Sequence, residues 1–358
     1  MSKFKAFLKK KDIEISGKRY GIDALGAMAQ GLFCSLLIGT IFKTLGMIPA
    51  LSVFTDIGGY AMAMSGPAMA IAIGYALKAP PLVLFSLAVV GNSANTIGGA
   101  GGPLAVLFIA IIAAEFGKLV SKETKIDILV TPTVTILVGV GLSMLIAAPI
   151  GKAAMWVGDL IMWATDLQPF LMGIIVSVLV GIALTLPISS AAICASFGLV
   201  GLAGGAAVAG CCAQMVGFAV MSYKENKVGG LISQGIGTSM LQMPNIVKNP
   251  KIWIAPTLAS AITGPIATCV FGLQMNGAAI NSGMGTCGLC GPIGVITGWF
   301  SPSDAAVAKD LAAIAPSAKD WIGLVLVCVV LPAILSFIFC EVERKIGWIK
   351  ENGLKLPE

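Results

Sequence analysis

The chain alternates long apolar runs with short interruptions that are polar, charged or rich in glycine. Residues 108–114, for example, are apolar without a break. Strands of an outer-membrane barrel would alternate polar and apolar positions, so these runs predict helices that cross a membrane. The expected spans are residues 22–41, 58–77 with a kink at Gly66–Pro67, 80–90, 103–116, 128–148, 170–186, 199–221, 252–273 and 321–339.

The longest interruption, residues 229–265, is apolar enough for a membrane but broken by Pro244 and Pro250. It also carries several hydroxyl and carboxamide side chains. Backbone at bilayer depth must keep its hydrogen bonds, so such a segment fits there only inside protein or beside a watery cavity. We expect a solute-binding loop, with a short cytoplasmic loop as the alternative.

Three further stretches break the apolar pattern. Residues 188–198 follow Pro187 and are too short to cross alone, so they predict a re-entrant segment, and residues 274–294 form another glycine-rich break. Residues 91–102 contain so many glycines that we expect them to leave helical structure. They form either a second wall of a solute site or a flexible external loop.

Residues 150–167 have a different, amphipathic pattern. Lys152, Asp159 and Asp166 recur every seven residues, while Trp156, Leu160, Trp163 and Leu167 face the other side. This pattern favours a helix that lies along the membrane surface. The alternative is a tilted membrane span, which would place the carboxylates of Asp159 and Asp166 in lipid at a free-energy cost.

Composition places the chain among α-helical membrane proteins. Of its 358 residues, 57% are hydrophobic and 11% charged, which leaves too little polar surface for a soluble globule. The fold class expected is an all-α polytopic membrane protein with about 8–10 transmembrane helices, re-entrant hairpins and one interfacial amphipathic helix. We expect one bundle, divided into residues 1–20, 21–149, 150–167, 168–300, 301–320 and 321–358.

The net charge of +6 is a topology signal rather than a sign of nucleic-acid binding. Seven of the first nineteen residues are Lys or Arg, and basic residues also follow the last span. Both termini are therefore expected in the cytoplasm. The basic N-terminal tail either lies along an anionic inner leaflet or is simply solvated. It lacks the cleavage site of a signal peptide.

The chain offers little catalytic or metal-binding chemistry. It has no histidine, and Cys287 and Cys290 form its one C-x-x-C pair. A zinc site needs more ligands, so we interpret this pair as packing in a tight turn and expect no metal, no cofactor and no catalytic residue. We also find no deep carboxylate or histidine to carry a coupling ion, which disfavours an ion-driven carrier.

The remaining deep polar groups are hydroxyls and carboxamides. These groups suit a neutral, polyhydroxylated solute, although a small anion at helix N-termini is an alternative. For the serines after Pro187, the alternative is close helix packing, for which Ser and Ala are commonly used in membranes. The expected solute contacts are Ser189, Ser190, Thr238, Ser239, Gln242 and Asn245, with Asn92 and Asn95 as a second group.

The layout resembles the membrane-embedded enzyme IIC components of the phosphoenolpyruvate-dependent sugar phosphotransferase system, from about residue 25 to 340. Residues 128–151, ILVTPTVTILVGVGLSMLIAAPIG, look like the corresponding span of fructose-type members. Residues 237–244, GTSMLQMP, stand where that group carries its ITEGAIP-like loop. The likeness points within this family to the stand-alone subfamily that includes the perfringolysin regulator membrane protein of clostridia.

The resemblance implies a sugar permease of the bacterial cytoplasmic membrane, working as a homodimer by an elevator-type movement. It also implies separate partner subunits that carry the phosphoryl group. Phosphorylating members use a loop glutamate four places before the proline, and here that position is Met240. Sugar recognition with impaired phosphoryl transfer is therefore expected. The alternative is a membrane sensor or regulator that binds its solute without moving it.

Overall fold

The computed structural model describes residues 3–46 and 51–356, with the side chains described from Ala6 onward. Regular structure in these ranges is helical, apart from one isolated bridge between Gly201 and Met275. The predicted all-α membrane fold is thus confirmed. Cα proximity divides the chain into two compact units, Met1–Lys43 with Val53–Ala153, and Thr44–Ser52 with Ala154–Glu358.

The helices follow one another with short connections. They are α1 (Lys3–Lys10), α2 (Arg19–Leu45), α3 (Val53–Ala63), α4 (Ser65–Ala76), α5 (Pro81–Gly98), α6 (Gly102–Val120), α7 (Asp127–Thr165), α8 (Pro169–Thr185), α9 (Ser190–Ser196), α10 (Gly201–Met221), α11 (Tyr223–Ile232), α12 (Met243–Lys248), α13 (Pro250–Phe271), α14 (Cys290–Phe300), α15 (Asp304–Val307) and α16 (Ala318–Lys345). Short turns at Ser233–Gly237, Ser239–Gln242, Ala279–Gly283 and Cys287–Leu289 lie between α11 and α14.

Within these two described ranges, six helical stretches are long and apolar enough to cross a membrane. A seventh is the bent pair formed by α3 and α4. The bend is 47° and falls at Met64, close to the kink predicted at Gly66–Pro67. Pro67 sits in the first turn of α4, where its missing N–H leaves no helical hydrogen bond unmade.

The expectation that residues 91–102 leave helical structure is wrong for most of that stretch. Helix α5 continues to Gly98, and the chain then reverses through Gly99–Gly101, with Gly99 at a φ of +50°. Val83 near the start of α5 lies against Gly117 near the end of α6, so the two helices form an antiparallel hairpin. The single stretch Pro81–Val120 therefore consists of two antiparallel helices.

Close packing explains why glycines are tolerated in α5. A Cβ at Gly91 would overlap the carbonyl oxygen of Gly66 on α4, and a Cβ at Gly66 would overlap that of Gly91. The helices therefore approach backbone to backbone at this crossing, as small residues allow in membranes. The dispersion energy of this close approach offsets the helix propensity that glycine lacks.

Helix α7 runs through 39 residues, with a wider turn at Ser143–Ala147 and no break before residue 150. The segment predicted as a separate interfacial helix is therefore continuous with the preceding span. In the second unit, its Gly158 packs against Phe197, whereas Trp156, Leu160 and Trp163 are exposed. Its placement along the membrane surface stays a prediction.

In the second unit, α10 is the central helix. It packs against α8, α13 and α16, and nearly all of its side chains are buried. A Cβ at Gly210 would overlap the carbonyl oxygen of Ser177 on α8, so this crossing also depends on a missing side chain. Because most side chains of α10 are alanine or glycine, neighbouring helices can pack closely against every side of it.

Substituting Gly91→Ala should lower the thermal unfolding midpoint of the detergent-solubilised protein. The added methyl group has to push apart two backbones, a strain that costs about 1–3 kcal/mol in packed cores. Gly141→Ala on α7 is the matched control, because a Cβ there meets nothing within 4 Å. The control should be neutral or slightly stabilising. Equal midpoints for both variants would contradict the proposed crossing.

Candidate functional site

Three interrupted segments gather in the second unit. They are α9 with the residues before it, the turns Ser233–Gly237 and Ser239–Gln242, and the turns Ala279–Gly283 and Cys287–Leu289. The second and third segments pack on α10, and α9 packs on Ala279–Gly283. These breaks and the residues beside them contain six of the eight residues predicted to contact a solute.

The serines after Pro187 hold the first break in place. Ser189 is the N-cap of α9, and its Oγ accepts a hydrogen bond from the N–H of Ala192 at 3.1 Å. Ser190 is buried, and its Oγ donates to the carbonyl oxygen of Gly283 at 2.6 Å. One hydroxyl therefore satisfies a helix end and the other ties the first break to the third.

Thr238 and Ser239 play corresponding roles in the second break. The Thr238 Oγ1 accepts from the N–H of Met240, so it caps the turn that follows. The Ser239 and Thr185 hydroxyls lie 2.8 Å apart and are fully buried. Ser239 thereby joins the second break to the end of α8.

The hydroxyl pair continues into a buried carboxamide on α10. Thr185 donates to Gln214 Oε1 at 3.4 Å, and the same oxygen accepts from Trp253 Nε1 at 2.9 Å. The Gln214 amide in turn donates to Thr257 at 3.3 Å. We call Thr185, Gln214, Ser239 and Thr257 the hydroxyl–amide group; its members come from four different helical segments.

Gln242 and Asn245 belong to a second set of carboxamides. Gln242 Nε2 donates to Gln234 Oε1 and to the backbone carbonyl of Leu354, each at 2.9 Å. Asn245 Nδ2 donates to Gln242 Oε1 at 2.8 Å and to the backbone carbonyl of Lys355 at 2.9 Å. Both predicted solute contacts thus hold the C-terminal segment of the chain.

Asn226 binds the same segment much as the backbone of a neighbouring strand would. Its Nδ2 donates to the Leu354 carbonyl at 2.8 Å, and its Oδ1 accepts from the N–H of Leu356 at 2.9 Å. The Leu354 side chain is fully buried. We call Gln234, Gln242, Asn245 and Asn226 the amide cluster, and residues 348–356 the C-terminal segment.

Ion pairs join the end of α16, which leads into the C-terminal segment, to the start of α11, which carries Asn226. Arg344 lies 2.7 Å from Glu225, and Lys224 pairs with Glu341. Sequence reasoning missed these contacts, because the partners are separated by more than a hundred residues. Opposite charges that far apart along a chain carry no pattern that would identify them as partners.

Asn92 and Asn95 belong to the first unit, on α5. Asn92 is exposed, and Asn95 donates weakly to Ser65 Oγ at 3.5 Å. Because α5 is regular here, these amides stand on a helix face rather than in a loop.

The third break and the residues that lead into it hold two polar atoms that sequence reasoning missed. Asn276 Oδ1 and Thr286 Oγ1 are buried and have no hydrogen-bond partner within the described ranges. The turn after Thr286 packs against Ser233–Gly237, so this hydroxyl lies near the second break. Buried polar groups are rarely left unpaired, so both atoms are free to form a further hydrogen bond.

Glu343, four residues beyond the last predicted span, is a buried carboxylate that sequence reasoning did not single out. Its side chain is 4% exposed, and it forms no ion pair with any residue in the described ranges. The buried stripe of α16, which includes Ser336 and Cys340, continues into Glu343. That stripe is the sequence signal that would have found it.

Cys287 and Cys290 are both buried and both free. The Cys290 Sγ lies 3.2 Å from the Thr44 hydroxyl. Among the residues of the described ranges, no three His, Cys, Asp or Glu side chains are grouped as metal ligands would be.

A family model described as "Phosphotransferase system, EIIC" matches residues 22–356. Searches of curated proteins and of solved structures find no match. The family match covers both units, including the interrupted segments and the C-terminal segment. The chain therefore belongs to the EIIC family of the phosphotransferase system and is a membrane-embedded sugar-permease component.

Proposed function

We propose that the protein moves an uncharged, hydroxyl-rich, sugar-like solute across the bacterial cytoplasmic membrane, with both termini in the cytoplasm. The observation that carries the proposal is the gathering of uncharged hydrogen-bonding side chains at three helix breaks in the second unit. Transporters use such breaks because helix ends and unwound backbone can bind a solute at bilayer depth.

The chemistry of these groups suits a neutral polyol. Each sugar hydroxyl both donates and accepts a hydrogen bond, and so does each carboxamide or hydroxyl side chain. The proposed contacts are Ser189, Ser190, Thr238, Ser239, Gln242 and Asn245, with Thr286 and Asn276 offering unpaired atoms in and beside the third break. Asn92 and Asn95 remain a separate proposal in the first unit.

An elevator-type movement fits the division into two compact units. In this proposal the residues after Gln168 form the transport domain, and the first five spans form the scaffold. The scaffold also supports a homodimer. The division is what supports this mechanism, because a transport domain has to move as a body of its own.

Phosphoryl transfer is expected to be impaired in this chain. Met240 stands at the position of the glutamate that phosphorylating relatives use, and its side chain is buried. A thioether cannot accept the proton of a sugar hydroxyl, so the loop lacks a general base. Separate phosphotransferase-system subunits remain the proposed partners.

A membrane sensor that binds its solute without moving it is the second candidate. It is favoured by the C-terminal segment, which holds Gln242 and Asn245 with its backbone carbonyls. A solute that reached these amides would release that segment. A partner protein would then detect the released segment without any flux of the solute.

The double variant Gln242→Ala, Asn245→Ala should lose solute binding in a thermal-shift screen of sugars, polyols and sugar acids. Each lost hydrogen bond in a desolvated site costs about 1–3 kcal/mol, so the affinity should fall at least about tenfold. Asn249→Ala is the control, since the Asn249 amide donates to the Trp348 carbonyl at an exposed position. Affinity equal to wild type in the double variant would remove these residues from the site.

Leu354→Glu should raise the apparent affinity of the same solute several-fold. A charge cannot stay in the fully buried position of Leu354, so the C-terminal segment leaves the amide cluster and no longer competes. Glu351→Gln changes an exposed residue of the same segment and should leave the affinity unchanged. Weaker or unchanged binding in Leu354→Glu would show that the C-terminal segment does not compete with the solute for the amide cluster.

Proteoliposomes separate the permease from the sensor. We expect flux of the solute that the screen identifies, with no sugar phosphate formed when phosphorylated partner subunits are added. Binding without flux would establish the sensor instead. Formation of sugar phosphate would show that another residue replaces the missing glutamate.

A further inference from the structure

A cavity in the first unit is lined by a group of lysines that the transport proposal does not use. Its volume is about 310 Å³, and it lies where α1, α4 and α6 end. Its basic lining residues are Lys10, Lys11, Lys78, Lys118 and Lys122. We call it the lysine pocket. At about 30 Å³ per water molecule it has room for a phosphate group and its substituent.

Two of these lysines have hydrogen-bond and ion-pair partners within the first unit. Lys118 is 2% exposed, and its Nζ donates to the carbonyls of Asp12 and Leu77 at 2.7 and 2.9 Å. It also pairs with Glu115 at 3.1 Å. Lys11 binds the Ser121 carbonyl and pairs with Glu123 at 2.6 Å. Both ammonium groups thus serve carbonyls near helix ends, where cations are favoured.

The two carboxylates that line the pocket, Asp12 and Glu123, also have ion-pair partners. Asp12 pairs with Arg19 at 2.8 Å, and this hydrogen bond holds the pKa of Asp12 below its usual value. The hydrogen bond from Lys11 likewise lowers the pKa of Glu123. Both carboxylates are therefore ionised at neutral pH. Five lysines against two carboxylates leave three positive charges in the lining.

The excess charge belongs to Lys10, Lys78 and Lys122. These side chains are exposed and form no ion pair with any residue in the described ranges. Lys78 and Lys122 also have φ angles of 55° and 60°, a region that is strained for a side chain and favours glycine. Neither helix-end carbonyls nor ion pairs neutralise these three lysines around the cavity.

Apolar residues lie beside the lysine pocket. A neighbouring cavity shares Asp12 and is lined by the apolar Leu8, Ile13 and Ile15, of which Ile15 is 82% exposed, and by Lys9 and Glu14. Exposed apolar side chains next to lysines are typical of protein surfaces that meet an anionic membrane.

We propose that the lysine pocket binds the phosphate group of an anionic phospholipid, with Lys10, Lys78 and Lys122 as its ligands. The neighbouring Leu8, Ile13 and Ile15 would contact the glycerol and acyl part of the same lipid. The shared chemistry is a phosphate group, and the apolar neighbours favour a lipid headgroup over free phosphate. The site is independent of the solute site and its transport function.

The test uses the full-length protein extracted from vesicles of phosphatidylcholine and phosphatidylglycerol, with retained lipid counted by native mass spectrometry. The triple variant Lys10→Gln, Lys78→Gln, Lys122→Gln should retain phosphatidylglycerol at least about tenfold more weakly than wild type. A control variant, Lys125→Gln, Lys152→Gln, Lys319→Gln, removes the same charge from exposed lysines outside the pocket. The control should retain lipid as wild type does.

Because all six substituted lysines are exposed, both variants should unfold at the wild-type temperature. Two results would overturn the proposal. One is equal retention in the triple variant and the wild type, and the other is equal loss in the triple variant and the control. A further arm adds inorganic phosphate to the vesicles. Phosphate should fail to displace the lipid; displacement at millimolar phosphate would assign the pocket to a free anion and overturn the lipid source.

Discussion

The constraint on which this structure depends is that backbone polar groups within a bilayer must find partners inside the protein. A continuous helix meets it alone, but an interrupted one exposes N–H and C=O groups at each new end. Here the breaks of the second unit are completed by side chains. Ser189 and Thr238 cap the turns that follow them, and Ser190 donates to the carbonyl of Gly283. These polar residues therefore have a structural role, because they satisfy backbone groups at the helix breaks.

Some of these residues hold the fold together and are also proposed to bind the solute, and this double role affects how tightly the solute would bind. The amides of Gln242 and Asn245 already donate to the C-terminal segment, and Ser239 already pairs with Thr185. A solute would exchange one set of hydrogen bonds for another, so the net free energy of binding would be small compared with the number of hydrogen bonds formed. Exchange of this kind suits a permease, because a carrier that binds its cargo too tightly cannot release it.

Close packing without large side chains is the other feature that sets the geometry. Gly66 with Gly91 in the first unit, and Gly210 with Ser177 in the second, bring helices together backbone to backbone. Lipid tails give no hydrophobic drive for helices to associate, so these crossings supply dispersion energy instead. They also explain why α10, with its small residues, is buried on nearly every side.

The sequence by itself determined the class of the protein, the position of most spans and the location of the helix breaks, because hydropathy and the chemistry of proline and glycine act over a few residues. It failed at residues 91–98, which stay helical because Gly66 packs against them. Only the tertiary structure decided which polar groups meet. It joined Asn245 to a C-terminal segment more than a hundred residues away, buried Glu343 and collected three unpaired lysines around one cavity. The physical reason is that hydrogen bonds and charges act over a few ångströms in space, whereas sequence patterns report only neighbours along the chain.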